Sequence, residues 1–406
     1  MLTKQIIENT VNSKMQLNQY YTAKTFGDAL INNLSSISPE SALDLGFGSG
    51  SLLHAAKRRW EEIYLFGADI DKQNVTKASK EINALELNGL NPDAPLILKE
   101  RFGNIDLLIS NPPYFTTDLD FNCREILKSV GLLDCISSST KKIPAELIFL
   151  AQNLRLLAEN GEIGIILPAG LISGKRWKPI RQFIFQQYAV SNVIQMPVNS
   201  FKKTDAQTFI LILKNKSVPN SEVKISHLEH NSEFFISIHS AIERADFSFF
   251  LEASERNSSS HITKSDFKIF RGNMSHNALS LNKAKHIHTT DMAEEPSRIR
   301  LEVNPLLKSK NVEAGDILIA RVGRRCLGRV MMIESGCMPL SDCVIAIRAS
   351  SQQTRNEIWK KLTLPECRSY FNNACFGVGA KYITHQLIMD YLNSEYDETT
   401  SQLRKF

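Results

Sequence analysis

The stretch Leu43-Asp44-Leu45-Gly46-Phe47-Gly48-Ser49-Gly50 decides the fold of this chain. It joins a short apolar run over 41–45 to a helical run that begins at residue 51. Three glycines at alternate positions let the backbone turn sharply and pass close to a ligand. Their GxGxG spacing differs from the GxGxxG of dinucleotide sites, and no Lys-Ser/Thr pair follows as in a phosphate loop. The stretch therefore predicts a strand, a turn and a helix that hold a ligand other than NAD or ATP.

Strand-like and helix-like runs alternate after this turn. The predicted elements are a strand over 63–71, a helix over 72–86, a third strand over 95–99, a fourth over 105–110, a helix over 145–158 and a strand over 163–168. Such alternation predicts an α/β fold with a doubly wound, mostly parallel, Rossmann-like sheet that helices cover on both faces. Ligands of these sheets bind beyond the carboxyl ends of the strands.

A second motif, Asn111-Pro112-Pro113-Tyr114, follows the fourth predicted strand. Its two prolines fix the backbone and remove two amide donors, so the Pro112 carbonyl accepts hydrogen bonds without competition. Asn111 adds a side-chain oxygen as a second acceptor, and Tyr114 adds a flat aromatic face. Two acceptors beside an aromatic surface suit a planar group that carries an NH2. We expect this motif, the glycine turn and the segment Asp69-Ile70-Asp71, at the end of the second strand, to line one cleft, where either Asp69 or Asp71 is suited to bind ribose hydroxyls.

The composition is that of a globular protein, with 43 % hydrophobic and 22 % charged residues in a chain of 406, long enough for two domains. The first residues lack the apolar run of a signal peptide, and no later stretch is suited to span a bilayer. We therefore expect a cytoplasmic protein that makes no membrane contact. Seven cysteines without CxxC spacing predict reduced thiols and no metal site. The net charge of +5 permits a polyanionic partner without requiring one.

These motifs resemble those of S-adenosylmethionine-dependent amino-methyltransferases, specifically the adenine-N6 DNA methyltransferases of the gamma arrangement. In that arrangement the cofactor motif precedes the catalytic motif, and a target recognition domain follows. The resemblance covers residues 16–215. It implies that S-adenosylmethionine is the cofactor and that double-stranded DNA is the partner, with the adenine flipped out of the duplex before its N6 is methylated. It also implies a role in a restriction-modification or related defence system, allows for a cognate restriction endonuclease, and leaves a monomer or a dimer open.

The resemblance assigns roles to individual residues. It implies a cofactor site drawn from the amino-terminal motif over 19–22, the glycine turn and the second strand, namely Tyr21, Thr22, Asp44, Gly46, Gly48, Asp69 and Ile70. The implied catalytic residues are Asn111, Pro112 and Tyr114. Phe201 is implied as the second aromatic face against the extruded base.

One position departs from the family pattern. The family has an acid after the third strand, where it holds the amino group of the cofactor's adenine. In this chain the third predicted strand leads into residues 98–103, which contain no aspartate in the expected place. Either Glu100 replaces that acid or the contact is missing.

The second half of the chain differs in character and predicts a smaller α+β domain. We predict a methyltransferase domain over 1–215 and a target recognition, DNA-binding domain over 216–406. The stretch 313–330 resembles the target recognition domains of type I restriction specificity subunits, and it contains four arginines: Arg321, Arg324, Arg325 and Arg329. Arginines at a turn beside strands neutralise phosphates and bind guanine edges, whereas an isolated cluster of this kind is usually a solvated surface. Downstream of a methyltransferase, we favour DNA contact.

Two other classes of function remain open at this point. Glutamine side chains of proteins and adenines of structured RNA also carry an NH2 on an sp2 carbon, so they too suit an Asn-Pro-Pro-Tyr site. The large second half argues against the glutamine enzymes, which tend to be shorter. The other class is a DNA-binding specificity module whose methyltransferase half is inactive.

Overall fold

The computed structural model describes residues 24–198, 200, 207–215, 220–254, 256–257, 266–377, 380–393 and 395–396. The chain divides into two units, Met1–Phe247 and Ser248–Phe406. Within the described ranges, no helix combines the length and the apolar character needed to cross a bilayer.

A nine-stranded sheet organises the first unit. Its strands are β1 (Ser41–Leu45), β2 (Tyr64–Asp69), β3 (Ile82–Glu86), β4 (Leu107–Ser110), β7 (Glu162–Pro168), β8 (Tyr188–Gln195), β9 (Thr208–Asn215), β10 (Glu222–His227) and β11 (Glu233–Ser237), and a separate hairpin consists of β5 (Thr116–Asp118) and β6 (Lys142–Pro144). The strand order is β11-β10-β8-β9-β7-β4-β1-β2-β3, and the five strands from β7 to β3 are parallel. This topology confirms the predicted mostly parallel α/β sheet.

Helices cover this sheet on both faces. They are α1 (Lys24–Asn32), α2 (Ser51–Arg59), α3 (Lys72–Lys77), α4 (Ala94–Phe102), α5 (Phe121–Ser129), α6 (Ala145–Leu156), α7 (Ala169–Ser173), α8 (Lys178–Gln187) and α9 (Ile238–Glu243). Every residue of β1, β4 and β7 is buried, as in parallel sheets that are covered on both sides. One apolar cluster joins α1 and α2 to these strands through side chains such as Leu30, Leu53 and Ile109.

Residues 72–102 differ from the prediction in the order of their elements. The predicted helix over 72–86 is the short helix α3 followed by strand β3, and the predicted strand over 95–99 is helix α4. β3 pairs in parallel with β2 from Ile82 to Glu86. Pro95 stands in the first turn of α4, where its missing N–H and fixed φ favour the start of a helix. Short apolar runs do not distinguish a strand from a buried helix by periodicity, which explains the error.

The first unit extends past the boundary that we predicted at residue 215. Strand β10 pairs in parallel with β8, and β11 adds to β10 in the same sheet. Arg181 of α8 is 3 % exposed and donates hydrogen bonds to the carbonyl oxygens of Ile242 and Glu243 at 3.0 and 2.7 Å. Burial lowers the pKa of Arg181 to about 10. These contacts keep the segment up to Phe247 with the first unit, so the predicted boundary at 215 is corrected to 247.

The second unit contains a smaller sheet of mainly antiparallel strands. Its elements are α10 (Phe247–Ser254), β12 (Arg256–Asn257), β13 (Phe267–Arg271), α11 (His276–Leu281), β14 (Ser297–Val303), β15 (Asn311–Glu313), β16 (Ile317–Ala320), β17 (Val330–Pro339), β18 (Val344–Ala349), α12 (Gln352–Leu362), α13 (Pro365–Ala374), α14 (His385–Leu392) and β19 (Glu395–Tyr396). The main sheet has the order β13-β18-β16-β17-β14, with β15 also paired to β17. Helices α12, α13 and α14 cover one face, and residues around Ile287, Met292 and Leu340 cover the other.

Candidate active site

The glycine turn lies at the carboxyl end of β1 and is held by hydrogen bonds to the end of β2. Gly46 has a φ of +83° and donates its N–H to the Ala68 carbonyl oxygen at 2.7 Å. Gly48 has a φ of +55° and donates its N–H to Oδ2 of Asp69 at 2.8 Å. Both positions need the left-handed backbone that glycine adopts without strain. The structure therefore brings four of the predicted cofactor residues together, and Ile70, half exposed, follows Asp69 directly.

An aromatic ring on α6 lies against two loops at this edge of the sheet. A Cβ atom placed on Gly46 would lie 3.2 Å from Cε1 of Phe149, and one placed on Gly89, after β3, would lie 2.7 Å from Cζ of the same ring. A Cβ atom at Gly89 would therefore clash with this ring, and one at Gly46, whose φ is +83°, would make a tight contact with it, so glycine suits both positions. Sequence reasoning missed Phe149 as a site residue because it belongs to the apolar pattern of α6, which by itself indicates only a core position.

Two neighbouring carboxyl groups are buried at the glycine turn, and hydrogen bonds stabilise their negative charge only in part. Asp44 is 2 % exposed, and its Oδ1 has no hydrogen-bond partner among the described residues. Burial, and then repulsion by Asp69, raise the pKa of Asp44 well above its ordinary range. Burial also raises the pKa of Asp69, against the opposing effect of N–H donors from Asp71 and Gly48. A positively charged ligand would stabilise the ionised form of both groups.

The Asn-Pro-Pro-Tyr motif begins immediately after β4, the strand that pairs with β1. Asp44 is opposite Ile109 in the β1–β4 register, so Asn111 stands two residues beyond that pair at the same edge. The buried Ser110 hydroxyl donates to the Leu45 carbonyl oxygen at 3.2 Å and joins the two strand ends. Asn111 Oδ1 accepts a hydrogen bond from the Tyr114 hydroxyl at 2.9 Å. The predicted juxtaposition of this motif with the glycine turn is thus present in the structure.

A buried glutamate lies next to this motif. The Ala145 N–H donates to the Phe115 carbonyl oxygen at 2.9 Å, which attaches the first turn of α6 to the residue after Tyr114. The next residue, Glu146, is 7 % exposed, and its Oε2 has no hydrogen-bond partner among the described residues. Burial raises the pKa of Glu146 to about 7, although the backbone N–H of the same residue opposes the shift. Sequence reasoning missed this residue, and its only signal was an acid inside an otherwise apolar helix start.

Replacing Glu146 by glutamine is expected to stabilise the protein at about pH 8 by roughly 2 kcal/mol. Above its ordinary pKa the unfolded carboxyl is ionised, whereas the folded carboxyl stays protonated up to about pH 7. The folded state of the wild type therefore loses stability as the pH rises through this window, and the glutamine variant does not. Urea unfolding of both proteins at about pH 5 and pH 8 measures the effect. Glu125→Gln, an exposed change on α5, is the control, and an equal shift at both pH values would contradict the prediction.

The third strand of the structure ends earlier in the chain than the strand that the sequence predicts. Strand β3 ends at Glu86, so the loop over 87–89 is the one that follows the third strand of the structure. Asn88 stands there, and its Oδ1 accepts the Leu90 N–H at 2.9 Å. Glu100 belongs to helix α4 and is exposed, so it does not follow a strand end.

Three predicted site residues, Tyr21, Thr22 and Phe201, lie outside the described residues. Of the four loop arginines in the second unit, two are partly buried and donate to backbone carbonyl oxygens. Arg321 Nε binds the Asp342 carbonyl oxygen at 2.9 Å, and Arg329 Nη1 binds that of Met292 at 2.9 Å. Arg324 and Arg325 are exposed at the tip of the loop. The structure therefore separates the predicted cluster into an anchoring pair and an exposed pair.

The family described as N-6 DNA Methylase matches residues 4–295 of this chain. Type II methyltransferase M.CvrRI of Paramecium bursaria Chlorella virus XZ-6E is 22 % identical over 202 residues, which cover 49 % of this chain and 48 % of that relative. The methylase subunit of type I restriction enzyme MpnII of Mycoplasma pneumoniae is 26 % identical over 196 residues, or 43 % of this chain and 36 % of the relative. The chain thus spans about half or less of the length of these relatives. The solved structure of the type IIG restriction endonuclease BpuSI aligns with 95 % of this chain and 61 % of its own, with a TM-score of 0.49 and 11 % identity.

Proposed function

Because the chain belongs to the N-6 DNA Methylase family, we propose that it transfers a methyl group from S-adenosylmethionine to adenine N6 in double-stranded DNA. The observation that carries the proposal is the adjacency of two sites on one sheet edge. The Asn111 motif at the end of β4 suits a planar amino group, and the Asp44 turn at the end of the paired strand β1 suits a cofactor. A restriction-modification or related defence system is the proposed setting.

The residues at the glycine turn fit S-adenosylmethionine. The Phe149 ring packs closely against Gly46, and the uncompensated Oδ1 of Asp44 suits a ligand that carries positive charge. Asp69 is the proposed ligand of the ribose hydroxyls, with Ile70 beside it, since an acid at the end of the second strand grips ribose in related folds. Tyr21 and Thr22 are proposed to close over the methionine end. When bound, S-adenosylmethionine supplies the methyl group together with a neutral thioether leaving group.

The Asn-Pro-Pro-Tyr motif acts on the amino group of the substrate. The Asn111 Oδ1 and the Pro112 carbonyl oxygen accept hydrogen bonds from the two N6 hydrogens. These hydrogen bonds draw the nitrogen lone pair out of conjugation and direct it at the methyl carbon. The Tyr114 hydroxyl donates a hydrogen bond to Asn111 Oδ1 at 2.9 Å, and an amide oxygen has two lone pairs. Tyr114 and Phe201 are proposed to stack on the adenine, which must leave the duplex because its reacting atom is not reachable within the stack. In-line alignment of this kind supplies several kcal/mol of the barrier.

The second unit is proposed to bind DNA and to select the target. Arg324 and Arg325 are exposed at the loop tip, while Arg321 and Arg329 hold the loop to the unit. A concentration of like charge supports contact with a polyanion: burial, and then repulsion by Arg271 and Arg321, lower the pKa of His385. A duplex backbone would relieve this repulsion, because phosphates neutralise clustered cations.

Replacing Arg324 and Arg325 together by alanine is expected to relax the target preference by about 1–3 kcal/mol per contacted base pair, while methyl transfer itself persists. Exposed guanidinium groups at a loop tip are suited to read guanine edges, and their loss removes that discrimination. Sequencing of methylated sites in DNA treated with each variant measures the preference. Lys308→Ala, which removes an exposed charge from another loop of the same unit, is the control. An unchanged site preference in the double variant would contradict base reading by this pair.

Incubation of the purified protein with S-adenosylmethionine and unmethylated genomic DNA, followed by nucleoside mass spectrometry, tests the proposed function. N6-methyladenine is the expected product, and parallel reactions with structured RNA and with a glutamine-containing protein examine the two alternative substrates. Methylation of RNA or protein alone would overturn the DNA assignment. Cofactor binding without methylation of any substrate would instead favour an inactive methyltransferase half beside a DNA-binding module.

A further inference from the structure

Strand β14 forms the edge of the second sheet and presents arginines along one of its faces. Among the described strands it pairs with β17 alone, and its exposure alternates along the strand. Ile299 and Leu301 pack against the apolar cluster on one face of the sheet. Arg298 and Arg300 therefore point to the opposite face, because neighbouring side chains of a strand alternate in direction. On this face, helices α12, α13 and α14 cover the strands nearer the centre of the sheet.

Between β14 and α12 lies an open cleft of about 680 Å³ that contains three arginines. Arg355 of α12 contributes the third guanidinium. A Cβ atom on Gly315, which has a φ of +91°, would lie 2.5 Å from Nη1 of Arg355, so the guanidinium rests on bare backbone at this turn. The glycine thus lets Arg355 lie low in the cleft instead of extending into solvent. Arg298, Arg300 and Arg355 belong to two elements that are distant in sequence and converge on one volume.

The positive charge of this cleft is only partly compensated. Arg300 Nε is 3.1 Å from Oε2 of Glu334, but the arginine side chain is 82 % exposed, so this pair is a weak surface interaction. Arg298 lies over the Trp359 ring at 5.5 Å, which orients the guanidinium without neutralising it. Arg355 is half-buried, and its guanidinium makes no hydrogen bond or ion pair with the described residues. One carboxylate therefore faces three guanidinium groups, and the cleft has the charge of a site for an anion.

We propose that this cleft binds phosphate groups of the DNA backbone. The proposal rests on the proposed function, since it assumes that the second unit contacts the substrate duplex. Guanidinium groups bind phosphate oxygens in a bidentate manner. Their planar donors therefore suit a phosphodiester better than the compact ammonium group of a lysine does. The cleft is open and extends along β14, and its volume exceeds that of one phosphate several-fold, which favours a backbone over a free ion. Arg298, Arg300 and Arg355 then position the duplex, whereas the exposed loop pair reads bases.

The test compares the Arg298→Ala/Arg355→Ala double variant with wild type in the full-length protein. Fluorescence anisotropy with target and non-target duplexes, over a series of salt concentrations, measures the dissociation constants. We expect about ten- to a hundredfold weaker binding of both duplexes, by the same factor, and a salt slope that is smaller by about two. Lys360→Ala, on the same helix but away from the cleft, is the matched control and should leave the slope nearly unchanged.

The outcomes separate the proposal from the function on which it rests. If the wild type binds no duplex and methylates no DNA, the proposed function fails. If the wild type binds duplex and the double variant binds it with the same affinity and slope, the cleft assignment alone is overturned. Inorganic phosphate, titrated at matched ionic strength, provides the second arm. If the double variant loses phosphate binding but keeps the wild-type affinity for duplex DNA, the cleft is a site for a free anion. That result would also overturn the assignment of the cleft to the DNA backbone.

Discussion

Replacement of Asn111 by alanine is expected to lower kcat by about a thousandfold, while the affinity for S-adenosylmethionine stays within about twofold. The substitution removes Oδ1, one of the two acceptors that orient the amino group, and it leaves the Asp44 turn intact. Asn111 lies at the end of β4, and the residues that hold the turn, Ala68 and Asp69, lie at the end of β2. Methyl transfer to duplex DNA and equilibrium binding of the cofactor measure the two quantities separately.

A hydroxyl deletion nearby provides the control for this variant. Tyr114→Phe keeps the aromatic ring and removes the hydrogen bond to Asn111 Oδ1. Because one neutral hydrogen bond contributes about 1 kcal/mol, we expect a loss of kcat of about tenfold or less. Activity of the Asn111→Ala protein above about a tenth of wild type would contradict the assigned role. An equal loss of cofactor binding and turnover would instead indicate that the substitution disturbs the cofactor turn.

Replacement of Asp316 by alanine is expected to destabilise the second unit by about 3 kcal/mol. Asp316 is fully buried at the start of β16 and accepts two hydrogen bonds from Arg348, from Nε at 2.8 Å and from Nη2 at 2.7 Å. Its Oδ2 also accepts the Glu313 N–H at 2.9 Å, which closes the turn before the strand. Truncation removes the acceptor of the Glu313 N–H and of two Arg348 donors, and it leaves the guanidinium with Glu313 and the Asn311 carbonyl oxygen as partners. We place the effect at the lower end of the range for buried pairs because the Arg348 side chain is 35 % exposed.

Hydrogen exchange monitored by mass spectrometry gives the local measurement, since a chain of two units need not unfold in one step. Amides of β16, β17 and β18 should exchange faster in the Asp316→Ala protein, and those of β1 and β4 should be unaffected. Glu313→Ala is a matched control because Glu313 pairs with the same Arg348 at 3.1 Å but is 56 % exposed. We expect that change to cost less than about 1 kcal/mol. Equal effects of the two substitutions would refute the special role of the buried carboxylate.

The sequence predicted the part of the site that depends on strand ends. Asp44 and Asn111 are far apart in the chain, yet Asp44 lies near the end of one apolar run and Asn111 directly follows another, and these runs form neighbouring parallel strands. The rule that carboxyl ends of parallel strands meet at one edge was enough to bring them together. Glycines with positive φ at 46 and 48 were likewise foreseeable, because the spacing of the turn requires residues without a Cβ atom.

What the sequence did not predict depends on tertiary packing. The segment over 82–86 is a strand because β2 pairs with it, although its residues carry only a weak strand pattern. Phe149 belongs to the apolar pattern of α6, and only the positions of the loops that bear Gly46 and Gly89 show its contacts at the site. The burial of Glu146 likewise depends on tertiary packing. The arginine loop was visible as a cluster, but only the positions of the Asp342 and Met292 carbonyl oxygens separate anchoring from exposed members. The first unit ends after the predicted boundary at residue 215 because β10 and β11 belong to its sheet, and the local sequence does not reveal that pairing.

A single turn of helix α6 connects the Asn-Pro-Pro-Tyr motif to the loops that bear Gly46 and Gly89. Ala145 holds the backbone just after the Asn-Pro-Pro-Tyr motif, and Phe149, four residues later, supports the loops that bear Gly46 and Gly89. Four residues of α-helix advance only about 6 Å and form one of the stiffest units that a protein offers. Under the proposed function, this turn of helix would set the distance between the cofactor site and the substrate site. The distance between these two sites would then depend on a helix of the first unit, and the second unit could change in sequence without altering it.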